Sequence, residues 1–86
     1  MTTNQQKIVK LIAQYQLEHQ EEKGILLRDL FEKCVEDMLA HSHKNLKEYL
    51  FEAKDHKIVI EKTNEDGNTV LYMPYGAHIL EKVVND

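Results

Sequence analysis

One cysteine, Cys34, leaves this chain without an intrachain disulfide framework, which fits a reducing compartment such as cytosol or nucleus. No apolar run approaches the ~20 residues needed to span a bilayer, and the opening MTTNQQKIVK has no apolar signal-peptide core. No membrane partner is therefore expected. A basic excess is missing too. The formal charge of −4 counts against a strong, sequence-independent grip on nucleic acid, because Lys and Arg drive that grip by neutralising phosphates. There is no G-x-x-x-x-G-K-S/T phosphate loop, no nucleophile elbow and no standard metal-ligand spacing.

What remains is enough for one small domain over residues 1–86. A chain of this length buries roughly 60–65% of its unfolded surface. Its 42% hydrophobic and 30% charged content is ordinary for a globular protein. Thr3-x-x-Gln6 reads as a capping box, and Ile8, Leu11, Ile12, Tyr15 and His19 follow as the apolar stripe of a first helix. Gly24 is expected to stop that helix in a left-handed conformation. Residues 25–27, Ile-Leu-Leu, are too short for a helix and read as a brief strand pairing with a later hairpin. A second helix is expected over residues 28–39, with Leu30, Phe31, Cys34, Val35 and Met38 inward.

A tight turn at Ala40-His41-Ser42 follows, with Ser42 capping a third helix that ends at Asp55-His56-Lys57. Leu46, Tyr49, Leu50 and Ala53 share one face of it, while Lys44, Lys47, Phe51 and Asp55 point away. Two β-rich segments flank Asp66-Gly67 and form a hairpin, the second stopped by Pro74. After the break at Tyr75-Gly76, residues 77–84 form a short amphipathic helix through Ile79, Leu80, Val83 and Val84, read as core packing. Two helices joined by a short turn and followed by a hairpin give an α+β fold of the winged helix-turn-helix class. It has a three-helix core, a β-hairpin wing and a short C-terminal helix.

Charge is unevenly placed. Residues 42–57 carry Lys44, Lys47, Lys54 and Lys57 against Glu48, Glu52 and Asp55. Residues 58–73 carry only Lys62 against Glu61, Glu65 and Asp66. Lys44, Lys47 and Lys54 lie where a recognition helix meets DNA, and Lys62, Asn64 and Asn68 on the wing could reach phosphates. These six are the candidate DNA-binding residues; lysines on an exposed face also serve simply as a solvated surface. No Arg occupies the third helix, so the commonest bidentate contact to guanine is missing and base-specific readout is not expected. Phe51 and Tyr75 are the candidate protein-interface residues, since aromatics dominate interface hot spots, although single exposed apolar side chains are normal.

Catalytic and metal readings fare worse. His41-x-His43 with His56 and Cys34 matches no zinc finger or ribbon spacing, and no metal or other cofactor is expected. Burial of Cys34 would raise its thiol pKa and suppress nucleophilicity. The pairs Glu32/Glu36 and Glu48/Glu52 read as solvated helix faces without the apolar pocket that acid–base catalysis needs. The chain is not expected to be an enzyme.

Tyr15-Gln16-Leu17, Asp29, Cys34, Leu46-Lys47 with Leu50, Asp55-His56-Lys57-Ile58, Asp66-Gly67 and Leu71-Tyr72-Met73-Pro74 form an ordered set. Over roughly residues 8–74 this set resembles the C-terminal winged-helix domain of subunit 2 of the eukaryotic origin recognition complex. The resemblance implies a nuclear, non-catalytic terminal module of a larger subunit, with Met1-Thr2-Thr3 near a module boundary. The implied partners are other origin recognition complex subunits, double-stranded DNA (bound weakly by the module alone) and helicase-loading factors. The chain departs from the family pattern in its acidic hairpin and in Phe51, which bear on direct DNA contact and leave assembly untouched. Two rival readings are an autonomous winged-helix transcription regulator and a protein-only winged-helix scaffold.

Overall fold

In a computed structural model that describes residues 3–85, the chain runs α1(Thr3–Glu18), β1(Ile25–Leu26), α2(Leu27–Glu36), α3(His43–Asp55), β2(Ile60–Thr63), β3(Thr69–Tyr72) and α4(Ala77–Asn85). The boundary expected at Met1-Thr2 lies outside the described residues, and Thr3, the expected cap, is already helical. Among the described residues no helix is long and apolar enough to cross a membrane.

Ile8, Val9, Ile12 and Ala13 bury one face of α1, while Leu11 and Tyr15 flank the core. Leu30 and Cys34 from α2 close over them, joined by Leu46, Leu50 and Ala53 from α3. The three strands form an antiparallel sheet in the order β1-β3-β2. Ile25 pairs with Leu71, and both are fully buried, so the two-residue β1 is held by core burial as much as by its ladder. The hairpin pairs Ile60 with Tyr72 through Thr63 with Thr69. Leu80 of α4 enters the core, with Val83 and Val84 packed against it, and α4 lies on α1.

Two polar ties fix these layers. The Gln16 amide of α1 reaches the end of β3, donating to the Met73 carbonyl (3.1 Å) and accepting from the Met73 N–H (2.6 Å). Gln5, a buried polar side chain of α1, donates to the Glu52 carboxylate of α3.

Four expectations change. First, α1 ends at Glu18, so Gly24 does not stop it. Gly24 is required for close approach instead: a Cβ there would lie 2.4 Å from the Leu71 carbonyl oxygen. Second, α2 ends at Glu36 rather than at residue 39. Leu39 N–H bonds back to Cys34 O and Met38 N–H to Val35 O, a Schellman closure that places Met38 at φ +58°. Third, Val35 and Met38 do not face inward. They are 47% and 84% exposed, because the chain leaves helical register at Met38 and no element covers that flank of α2. His19, likewise expected on the α1 stripe, falls just beyond the helix.

The α3 terminus repeats the closure, with Ile58 N–H to Ala53 O, Lys57 N–H to Lys54 O, and Lys57 at φ +60°. The Asp55-His56-Lys57 run is thus a helix stop. At the other end of α3, the Ser42 hydroxyl accepts from Asn45 N–H (3.1 Å) as expected, and the Asn45 side chain in turn accepts from His41 N–H.

Cys34 is fully buried, and burial, aided by the nearby Asp37 charge, pushes its thiol up to about 11. Tyr15 donates to the Glu22 carboxylate (2.6 Å), and that bond, with burial and nearby acids, raises it to about 12. Both groups hold their proton more tightly folded than unfolded. Their contribution to stability is complete below the ordinary values of 9.0 and 10.0, and is lost as pH rises through about 11 and about 12. Melting temperature should therefore fall between pH 9.0 and 12, and Cys34→Ala should flatten the first part of that fall. A thiol reagent at neutral pH should label Cys34 only after unfolding; rapid labelling of the native protein would contradict the burial.

Gln16→Ala should lower stability by about 1–3 kcal/mol in urea unfolding, since it strands the Met73 N–H, while the Met73 carbonyl keeps its bond from the Tyr75 N–H (2.9 Å). Met38→Gly and Lys57→Gly should each raise stability by about 0.5–1 kcal/mol. Relief of left-handed strain, about 1–2 kcal/mol, exceeds the added chain entropy of about 0.5–1 kcal/mol.

Candidate nucleic-acid and protein interface

The exposed face of α3 arises from its own periodicity: Leu46, Leu50 and Ala53 point into the core, and Lys44, Lys47 and Phe51 are left to solvent. Lys44, Lys47, Glu48 and Phe51 line one broad cleft of about 590 Å³. Phe51 is 69% exposed, so its ring lies open at the side of this cleft. Here the structure brings together two of the expected DNA-binding lysines and one of the expected interface aromatics.

The other expected DNA-binding residues are spread over different surfaces. Lys54, near the far end of α3, pairs with Glu61 of β2 at 3.2 Å, tying the recognition helix to the wing. Lys62 projects from the outer face of the hairpin with its ammonium 5.2 Å from the Tyr72 ring centroid. The Asn64 side chain is used locally: its Oδ1 accepts from the N–H groups of Asp66 (3.0 Å) and Asn68 (2.9 Å). Gly67 N–H returns to Asn64 O at φ +82°, so the wing tip is a loop over residues 65–67 whose last residue is left-handed. Lys23, Lys62 and Asn64 share a cleft with Glu65 and Asp66, which offset the lysines.

Tyr75, the second expected interface aromatic, is remote from the Phe51 cleft. Its hydroxyl donates to the Lys57 carbonyl (3.3 Å), and it lines a separate hollow with Gln16, Leu17 and Leu80. Part of its exposed area is therefore structural support for the α3 stop.

Two residues were not among the expected DNA-binding set. Arg28 and His43 line a cleft with Asn68 and Thr69 at the junction of α2, α3 and the wing. His43 is positioned by stacking on Phe31, ring centroids 3.8 Å apart and planes 18° apart. The basic side chain at residue 28 was visible in the sequence; its proximity to the wing was not, because that follows from folding. As for metals, His41, His43, His56 and Cys34 form no ligand group. Among the described residues only His19, Glu21 and Glu22 bring ligand atoms within 4.8 Å, on a surface loop.

This chain, with its short β1, hairpin wing and α4 packed on α1, matches known proteins throughout. The ORC2 WHD family profile matches residues 17–79. The chain is 35% identical over 86 residues to origin of replication complex subunit 2 of Oryza sativa subsp. indica, covering all of this chain and 23% of that protein. It is 34% identical over 89 residues to origin recognition complex subunit 2 of Drosophila melanogaster, covering 14% of it. Among solved structures, a chain of Drosophila ORC bound to AT-rich DNA and Cdc6 superposes with a TM-score of 0.89 at 36% identity, over 99% of this chain and 28% of that one. A chain of Drosophila ORC bound to GC-rich DNA and Cdc6 superposes with a TM-score of 0.83 at 34% identity. This chain thus spans less than a quarter of the length of the curated relatives named here. It belongs to the ORC2 winged-helix domain family.

Proposed function

We propose that residues 1–86 are a single winged-helix domain, the C-terminal module of a larger subunit of an origin recognition complex in the nucleus. It is a non-catalytic module that contributes to complex assembly and origin DNA docking in DNA replication initiation. Its partners are other subunits of the complex, double-stranded DNA held weakly by the module alone, and helicase-loading factors. The observation that carries this reading is the superposition, over 99% of the chain, on a chain of an ORC assembly bound to DNA and Cdc6.

The surface chemistry supports docking over sequence reading. Lys54, Lys62 and Asn64 already have intramolecular partners, and acids stand beside the lysines of the α3 and wing clefts. Phosphate contacts position a protein on DNA, whereas base-edge contacts specify sequence, and α3 carries no Arg for the latter. In the same reading Phe51 and Tyr75 anchor protein contacts, with Lys44, Lys47, Lys54, Lys62, Asn64 and Asn68 as the candidate DNA-contacting set. Those same intramolecular pairings favour one second reading, a protein-only winged-helix scaffold.

Capture by the tagged chain of other complex subunits from nuclear extract, lost in Phe51→Ala, is the expected outcome for assembly; finding none would defeat that reading. Duplex binding that is measurable at low salt and falls steeply as salt rises is expected for DNA docking. Absence of binding at the lowest salt would favour the scaffold.

A further inference from the structure

The best-placed free donors on this surface are not the lysines of α3. Each of the main lysine-bearing clefts contains at least one carboxylate: Glu48 beside Lys44 and Lys47, Glu65 and Asp66 beside Lys23 and Lys62, Asp37 beside Lys7 and Lys10. The cleft of about 190 Å³ where α2, α3 and the wing converge is different: Arg28 and His43 line it with Asn68, Thr69 and two leucines, and no carboxylate does.

Its donors are also uncommitted. Arg28 is exposed and makes no ion pair or hydrogen bond with another described residue. Asn68 enters the wing turn through its backbone alone, which leaves its side-chain amide available. The Phe31 stack holds the His43 ring in place while leaving both ring nitrogens without a hydrogen-bond partner. A planar guanidinium, an amide donor, an imidazole and a hydroxyl around one small opening suit a tetrahedral oxyanion, which Arg binds bidentately.

We infer that Arg28, His43, Asn68 and Thr69 form a phosphodiester-binding site that seats the backbone of duplex DNA. The inference rests on the DNA-docking reading and assigns its principal contact to a corner outside the α3 lysine flank. Duplex DNA is the occupant because the cleft joins the start of α3, the helix after the turn, to the wing beside its tip, and a helix-turn-helix domain presents the N-terminal end of that second helix to a duplex. The assignment is to phosphate rather than to base edges, so the contact sets orientation and should not depend on sequence.

The test is fluorescence anisotropy of the full chain with two short duplexes of unrelated sequence, at several salt concentrations. Arg28→Ala, Arg28→Lys and Asn68→Ala are compared with the Lys44→Ala/Lys47→Ala double variant, with melting curves confirming that each exposed substitution leaves the fold intact. Arg28→Ala should weaken binding on the order of tenfold on both sequences. It should also reduce the slope of log affinity against log salt by about 0.9, the signature of one lost phosphate contact. Arg28→Lys should restore the slope but only part of the affinity, because the point charge remains and the bidentate geometry does not. Wild-type affinity and slope in Arg28→Ala and Asn68→Ala, with loss in the lysine double variant, would overturn the inference and leave DNA docking to the α3 flank. No binding by the wild-type chain at the lowest salt would overturn both.

Discussion

Strand β3 is the element on which the other layers converge, and its two-pronged hydrogen bond to Gln16 holds it against α1. The strand is central in the sheet, with β1 on one side and β2 on the other. Its Leu71 is fully buried against the helices, and its neighbour across the ladder, Ile25, is buried with it. Where β3 ends, the Met73 N–H has no backbone partner, while its carbonyl accepts from the Tyr75 N–H. The Gln16 amide satisfies that N–H, adds a second bond to the carbonyl and so sets where the strand stops relative to α1. The same anchorage places Pro74 and the turn into α4, which returns to pack on α1. Gly24 completes the arrangement from the other edge, since the chain passes too near the Leu71 carbonyl for any side chain.

The recognition helix is positioned by its ends. Ser42 and Asn45 close its start, and the Ala53–Ile58 closure ends it with Lys57 in a strained conformation. The Tyr75 hydroxyl donates to the Lys57 carbonyl and braces that strained residue from the α4 side. The Lys54–Glu61 pair then joins α3 to the wing, though an ion pair exposed to solvent adds little to stability. Its effect is on orientation and on charge, because it sets a carboxylate against one of the α3 lysines.

The outline of the fold was legible in the chain because local chemistry dictates it. Periodicity gave the four helices, Ser42 gave the start of α3, Asp66-Gly67 gave the wing turn, and the short run at residues 25–27 gave an extra strand. Less legible was the end of α2. Val35 and Met38 fit the apolar period, but the chain turns at Met38 and nothing packs over that flank. Periodicity records which face could be buried; only neighbours decide whether it is. The surface was half legible: the outward direction of Lys44, Lys47 and Phe51 follows from the helix period, whereas the partners of Lys54, Lys62 and Asn64 do not.

The amino-acid sequence alone determined the element order, the winged-helix class, the family resemblance and the near-neutral third helix without Arg, since each depends on residue type and near-neighbour spacing. Tertiary structure decided what distant residues do to one another. It assigned Gln16 to Met73, turned Gly24 from a helix stop into a close-packing point, and gave three of the candidate DNA-binding residues intramolecular partners. It also brought Arg28 and His43 beside Asn68 in a corner free of carboxylates. Such pairings join residues far apart in the chain, and their distances are set by how the layers pack, which no local pattern encodes.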